Sequence, residues 1–93
     1  MEEKENIREI DFTAVPVEEE IDAFIEVDYS KSIGNYIHKM AEDIGMDDLA
    51  REIYHKGKAG MTDEQAEQVT AMIRQTNLPP YIRTAIINHI NKQ

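Results

Sequence analysis

Cysteine and tryptophan are both absent from this chain of 93 residues. Without a thiol there is no disulfide staple, no thiolate metal site and no cysteine nucleophile. Three prolines and four glycines are too few for a collagen-like or Pro/Gly-rich low-complexity chain. No apolar run approaches the ~18 residues that a membrane-spanning helix needs. The start, Met1-Glu2-Glu3-Lys4-Glu5-Asn6, lacks the basic residues and apolar stretch of an export signal, so the expected setting is the cytoplasm of a bacterium-like cell. Positive charge is also short: ten Lys and Arg face nineteen Asp and Glu, a formal net charge of -9. That sign argues against a protein that coats nucleic acid or anionic membrane by bulk charge.

What is present is one small domain's worth of chain with a thin apolar complement. Leu, Ile, Val and Phe number two, thirteen, four and two, just above the level of about 20% below which disorder is the default. A chain this short buries only ~60–65% of its unfolded surface, so a partner or a second copy would add useful burial. The charge is unevenly placed. Residues 1–30 hold eleven acids and two bases, a net of -9, whereas residues 31–93 hold eight of each and are neutral. Such asymmetry marks a tail or an interaction segment. Apolar residues run through the same third, including Ile10, Phe12, Val15, Val17, Ile21, Phe24 and Ile25, which a purely solvating tail does not need.

Periodicity predicts an all-α fold: a small bundle of four to five short helices behind an acidic, extended or partly disordered N-terminal arm, with the arm at 1–15 and a single helical domain at 16–93. Ile10, Phe12 and Ala14 alternate too briefly to establish a strand. Val17, Ile21, Phe24 and Ile25 fall at i, i+4, i+7 and i+8, and Pro16 suits a first helical turn, which predicts a helix over 16–27. Ile33, Tyr36, Ile37, Met40 and Ile44 predict a second over 30–44, capped by Asp28 or Ser30 and stopped at Gly45. Glu42 and Asp43 would then sit unfavourably at its negative end. A third is expected over 48–56, capped by Asp47 and ended by Gly57, followed by a loop over 56–60. Thr62-Asp63-Glu64-Gln65 fits a capping box before a helix over 63–76. Pro79 or Pro80 opens a last one carrying Ile82, Ile86 and Ile90.

Motifs of chemistry are sparse. His38 and Glu42 share a helical face, but no third ligand follows at a metal-binding spacing. Gly57, Lys58 and Gly60 do not make a phosphate loop. Ser30 and Ser32 lie outside any nucleophile-elbow context. Adjacent carboxylates such as Glu19–Glu20 and Asp47–Asp48 point about 100° apart on a helix and frame no reacting atom. No enzyme activity, cofactor or metal is therefore expected. Met40-Ala41-Glu42-Asp43-Ile44-Gly45-Met46 resembles the first half of a helix-turn-helix, but the later apolar anchor positions hold Arg51 and Tyr54.

The expected function is a non-catalytic interaction module, accessory or regulatory, that presents its acidic amphipathic N-terminal segment to a protein with a basic surface. Phe12, Glu18, Glu19, Asp22, Phe24, Ile25 and Glu26 are the candidate contact residues, the aromatics and Ile as anchors and the acids as steering charges. The alternative is a degenerate helix-turn-helix regulator that reads DNA as a dimer through residues 31–57, with Arg51, Lys56 and Lys58 at the phosphates. Nucleic acid is the less expected partner, a membrane is not expected, and a homo-oligomer is compatible with the thin core. Removing residues 1–28 is expected to abolish partner capture and spare the helices.

Overall fold

The computed structural model describes residues 7–92. Strand β1 (Arg8–Asp11) leads into a hairpin of β2 (Val15–Glu20) and β3 (Ala23–Val27). Helices α1 (Ser30–Met40) and α2 (Ile44–Lys56) follow, then β4 (Lys58–Met61), α3 (Asp63–Arg74) and α4 (Pro80–Lys92). Among the described residues the architecture is mixed α/β, with four helices and two separate two-stranded antiparallel sheets, β1–β4 and β2–β3. The expected all-α helical bundle is therefore corrected.

The correction begins at residues 16–27, which form the hairpin rather than a helix. A helix would have faced Val17, Ile21, Phe24 and Ile25 inward and left Val15 aside. The extended chain instead buries Val15 and Val17 on one face at period two. Asp22 supplies the turn by adopting a left-handed backbone with φ 64°, a conformation that Asp tolerates better than most residues. The expected loop at 56–60 is likewise mostly strand. Lys58–Met61 pairs with Arg8–Asp11, setting Ile10 opposite Ala59 and Arg8 opposite Met61. The stretch expected to be an extended arm thus includes a paired strand; residues 1–6 lie outside the described residues.

The helix boundaries shift for local reasons. α1 stops at Met40, where Ala41 turns extended with ψ 134°. Asp43 then caps α2, its carboxylate accepting from the Met46 N–H at 2.8 Å. Gly45 belongs to the first turn of α2 rather than ending α1, and Asp47 lies inside that turn. The charge conflict expected at Glu42 and Asp43 disappears, because both precede a helix's positive end instead of closing a negative one. Asp28 Oδ1 accepts from the Ser30 N–H at 2.9 Å and from its hydroxyl at 2.6 Å. Those bonds hold the Asp28 carboxyl below its ordinary pKa. Gly57 ends α2 at φ 79° with its N–H on the Ile53 carbonyl, and the Thr62–Gln65 capping box forms as expected.

One core joins these elements. Ile10, Phe12, Val15 and Val17 from the N-terminal third meet Ile37, Ile53, Met61, Val69, Ile73, Ile86 and Ile90, all buried. Phe12 is the junction: its N–H donates to the Gly57 carbonyl at 2.8 Å and its carbonyl accepts from the Tyr29 N–H at 2.9 Å. α1 and α2 cross closely at Gly34, where an added Cβ would stand 2.8 Å from the Tyr54 Cβ and 2.9 Å from the Ala50 carbonyl. Nine of the thirteen isoleucines lie in helices, so the strands do not explain the Ile excess.

Candidate functional site

The hairpin has two ends of different character. At its base Val15 and Val17 are buried and Val27 is half-buried. Towards its tip the pairing Glu18–Phe24 and Glu20–Ala23 brackets a bulge in β2, and every residue from Glu18 to Glu26 is exposed. The tip carries large apolar groups into water: Ile21 is 88% exposed, Phe24 63% and Ile25 48%. Around them stand Glu18, Glu19, Glu20, Asp22 and Glu26, and no Lys or Arg occurs between residues 15 and 28. Glu18 has a local task as well, its carboxylate accepting from the Asp22 N–H across the turn at 2.7 Å.

Cross-strand pairing sorts these side chains by face. Pro16 opposite Glu26 and Glu18 opposite Phe24 lie on one side, Val17 opposite Ile25 and Val15 opposite Val27 on the other. α4 packs along β2. Between them runs a groove of about 220 Å³ lined by Pro16, Glu18, Phe24, Asn88, His89 and Lys92, among others. Lys92 is thus a positive group bordering the β2 side.

Of the expected contact residues, Glu18, Glu19, Asp22, Phe24, Ile25 and Glu26 are brought together on this hairpin. Phe12 is not among them. It is fully buried and packs edge-to-face on His89, ring centroids 6.2 Å apart. Glu20 belongs to the same acidic surface and was not singled out from sequence, because a helix would have turned it away from its neighbours.

The residues considered for DNA lie elsewhere. Arg51 Nε donates to Asp47 Oδ2 at 3.0 Å, and His38 Nδ1 meets Asp47 Oδ1. The His38 hydrogen bond first, then Arg51, lowers the Asp47 pKa. Lys58 Nζ lies 3.9 Å from Glu9 across the β1–β4 pair, and Lys56 is exposed at the end of α2. His38, Arg51 and His55 line a shallow polar groove of about 180 Å³ between α1 and α2. Among the described residues, no group of three or more His, Asp or Glu side chains is placed to hold a metal ion. Nor is any helix there long and apolar enough to cross a membrane. Comparison of the chain with protein-family models, with curated proteins and with solved structures finds no match.

Proposed function

We propose that the chain is a non-catalytic cytoplasmic interaction module that captures a basic protein partner on the tip of its β2–β3 hairpin. One observation carries this reading: Ile21, Phe24 and Ile25 stay in water among five carboxylates, while Ile10, Phe12, Val15 and Val17 of the same third are in the core. Keeping three large apolar side chains exposed forgoes burial stabilisation of order 1 kcal/mol or more each. Desolvated aromatic and aliphatic anchors supply most of the affinity at interfaces, whereas surrounding charges steer the encounter. The partner's matching surface combines an apolar recess with Lys or Arg around it.

Deleting residues 1–28 is a poor test, because the deletion removes β1 and the core residues Ile10, Phe12, Val15 and Val17. Surface variants are cleaner. The full-length chain, a Phe24→Ser/Ile25→Thr variant and a Glu19→Lys/Glu26→Lys variant are used as bait in the native host, with circular dichroism confirming equal helix content. The reading expects proteins held by the parent to be lost from both variants. Equal retention by all three baits refutes it.

The DNA alternative has less behind it. Arg51 is drawn to Asp47, Lys58 lies near Glu9, and Asp48 and Glu52 share α2 with Arg51 and Lys56. Binding of duplex DNA at low salt, with a salt slope flattened by Arg51→Ala, Lys56→Ala or Lys58→Ala, would replace the module reading.

A further inference from the structure

Resting on the acidic-hairpin reading, the geometry points to a mode of capture: an extended segment of the partner, alternating Lys or Arg with β-branched apolar residues, adds as a third strand along the outer edge of β3.

The register sets which backbone groups face that edge. Pro16 stands opposite Glu26. Proline has no N–H, so this pair is not one that exchanges two ladder hydrogen bonds. The exchanging positions are its neighbours, Val15–Val27 and Val17–Ile25. In an antiparallel ladder the residues between exchanging positions turn their N–H and C=O groups outward. Phe24 and Glu26 therefore present theirs on the side away from β2. Among the described residues, β3 pairs with β2 alone, and Ala23 to Glu26 are exposed throughout.

The two edges of the hairpin are treated differently. Exposed edges are usually blunted by proline, by bulges or by a covering element. Two of these devices occur on β2: Pro16 and the bulge between Glu18 and Glu20. β3 has no proline and no bulge, and its sequence Ala-Phe-Ile-Glu-Val is rich in residues that favour strands.

Side-chain alternation then defines the incoming strand. On one face it meets Phe24 and Glu26, which suit cationic side chains through a cation–π contact and an ion pair. On the other it meets Ala23, Ile25 and Val27, which suit Val or Ile. Main-chain bonds give such an addition its affinity and the alternating side chains its selectivity. Charge decides against a second copy as occupant, since two hairpins side by side would each bring the same carboxylates.

The test titrates the isotope-labelled full chain with an end-blocked peptide alternating Arg and Val, reading amide shifts and hydrogen exchange. The expected result is saturable binding with slowed exchange at the Phe24 and Glu26 amides. N-methylation of the peptide amides facing the edge should weaken binding by about tenfold or more, and a Glu/Val peptide should not bind. If the Arg/Val peptide binds the tip and Glu26→Lys weakens it, but the two amides stay unprotected and N-methylation changes nothing, strand addition is overturned and the acidic-hairpin reading survives. If no binding occurs, both fall. Protection that rises with protein concentration in the absence of peptide makes the occupant a second copy and also overturns the proposal.

Discussion

The two small sheets are built alike and placed differently. β1–β4 turns Ile10, Ala59 and Met61 into the core, and its rim carries opposite charges: Arg8 Nε is 3.2 Å from Asp63 and Lys58 is 3.9 Å from Glu9. β2–β3 buries only its base, and its tip bears five acids with no base in the same segment. A two-stranded ribbon is marginal alone and needs packing on one face. The first sheet obtains that packing from its own chain along its length. The second obtains it only as far as Val17 and leaves the remainder exposed.

The widest contrast lies between the two phenylalanines. Phe12→Ala should cost roughly 3–5 kcal/mol, because it empties a fully enclosed site, whereas Phe24→Ser should stay within about 0.5 kcal/mol. Urea denaturation of both variants measures the difference, and equal losses would erase the distinction between core strand and presented hairpin. A smaller effect is expected where the body is tightest. Gly34→Ala should cost on the order of 1–3 kcal/mol by driving a methyl into the α1–α2 crossing; a neutral result in thermal melts would mean that the body is as loosely held as the tip. Thr62→Ala should cost about 1 kcal/mol through loss of the α3 cap, seen as a lowered urea midpoint.

Acid should sharpen the comparison last. Hydrogen bonds from Thr13 lower the Asp11 pKa, and those from Ser30 lower that of Asp28, from an ordinary 3.8. A carboxyl lowered in the folded state stabilises it above its unfolded pKa, and the contribution fades as pH falls through the lower folded value. Stability from these two turns should therefore be complete at neutral pH and decline from around 3.8 downward. Denaturant midpoints measured across that window should fall less in Asp28→Asn than in the parent; parallel curves would show that the Ser30 bonds carry no pH dependence.

Much of the body was legible in sequence. The Thr62–Gln65 box and the Gly57 stop depend on contacts within a few residues and stand where the pattern placed them, and of the two prolines that could open the last helix it is Pro80 that does. The α1–α2 junction was less legible, because Asp43 and Asp47 are both chemically fit to cap and only the turn geometry chooses between them. The hairpin was misread because Val17, Ile21, Phe24 and Ile25 match a helical stripe as well as Val15, Val17, Ile25 and Val27 match alternation. Thirteen residues cannot separate those periods without knowing which side chains meet a core. The acidic, apolar character of the candidate site was visible as composition; its gathering on one exposed tip was not.

Composition and local chemistry alone determined the charge asymmetry, the absence of thiol chemistry, and the caps and stops of the later helices, since each depends on residue identity or on neighbours a turn away. Tertiary structure decided the rest. β1 gains its partner from β4 some fifty residues on, and residues 15–27 become a ribbon because the core formed with α4 and β4 accepts Val15 and Val17 from an extended chain. Phe12 and Phe24 have the same side chain, and only the distant surfaces around them make one a core residue and leave the other in water.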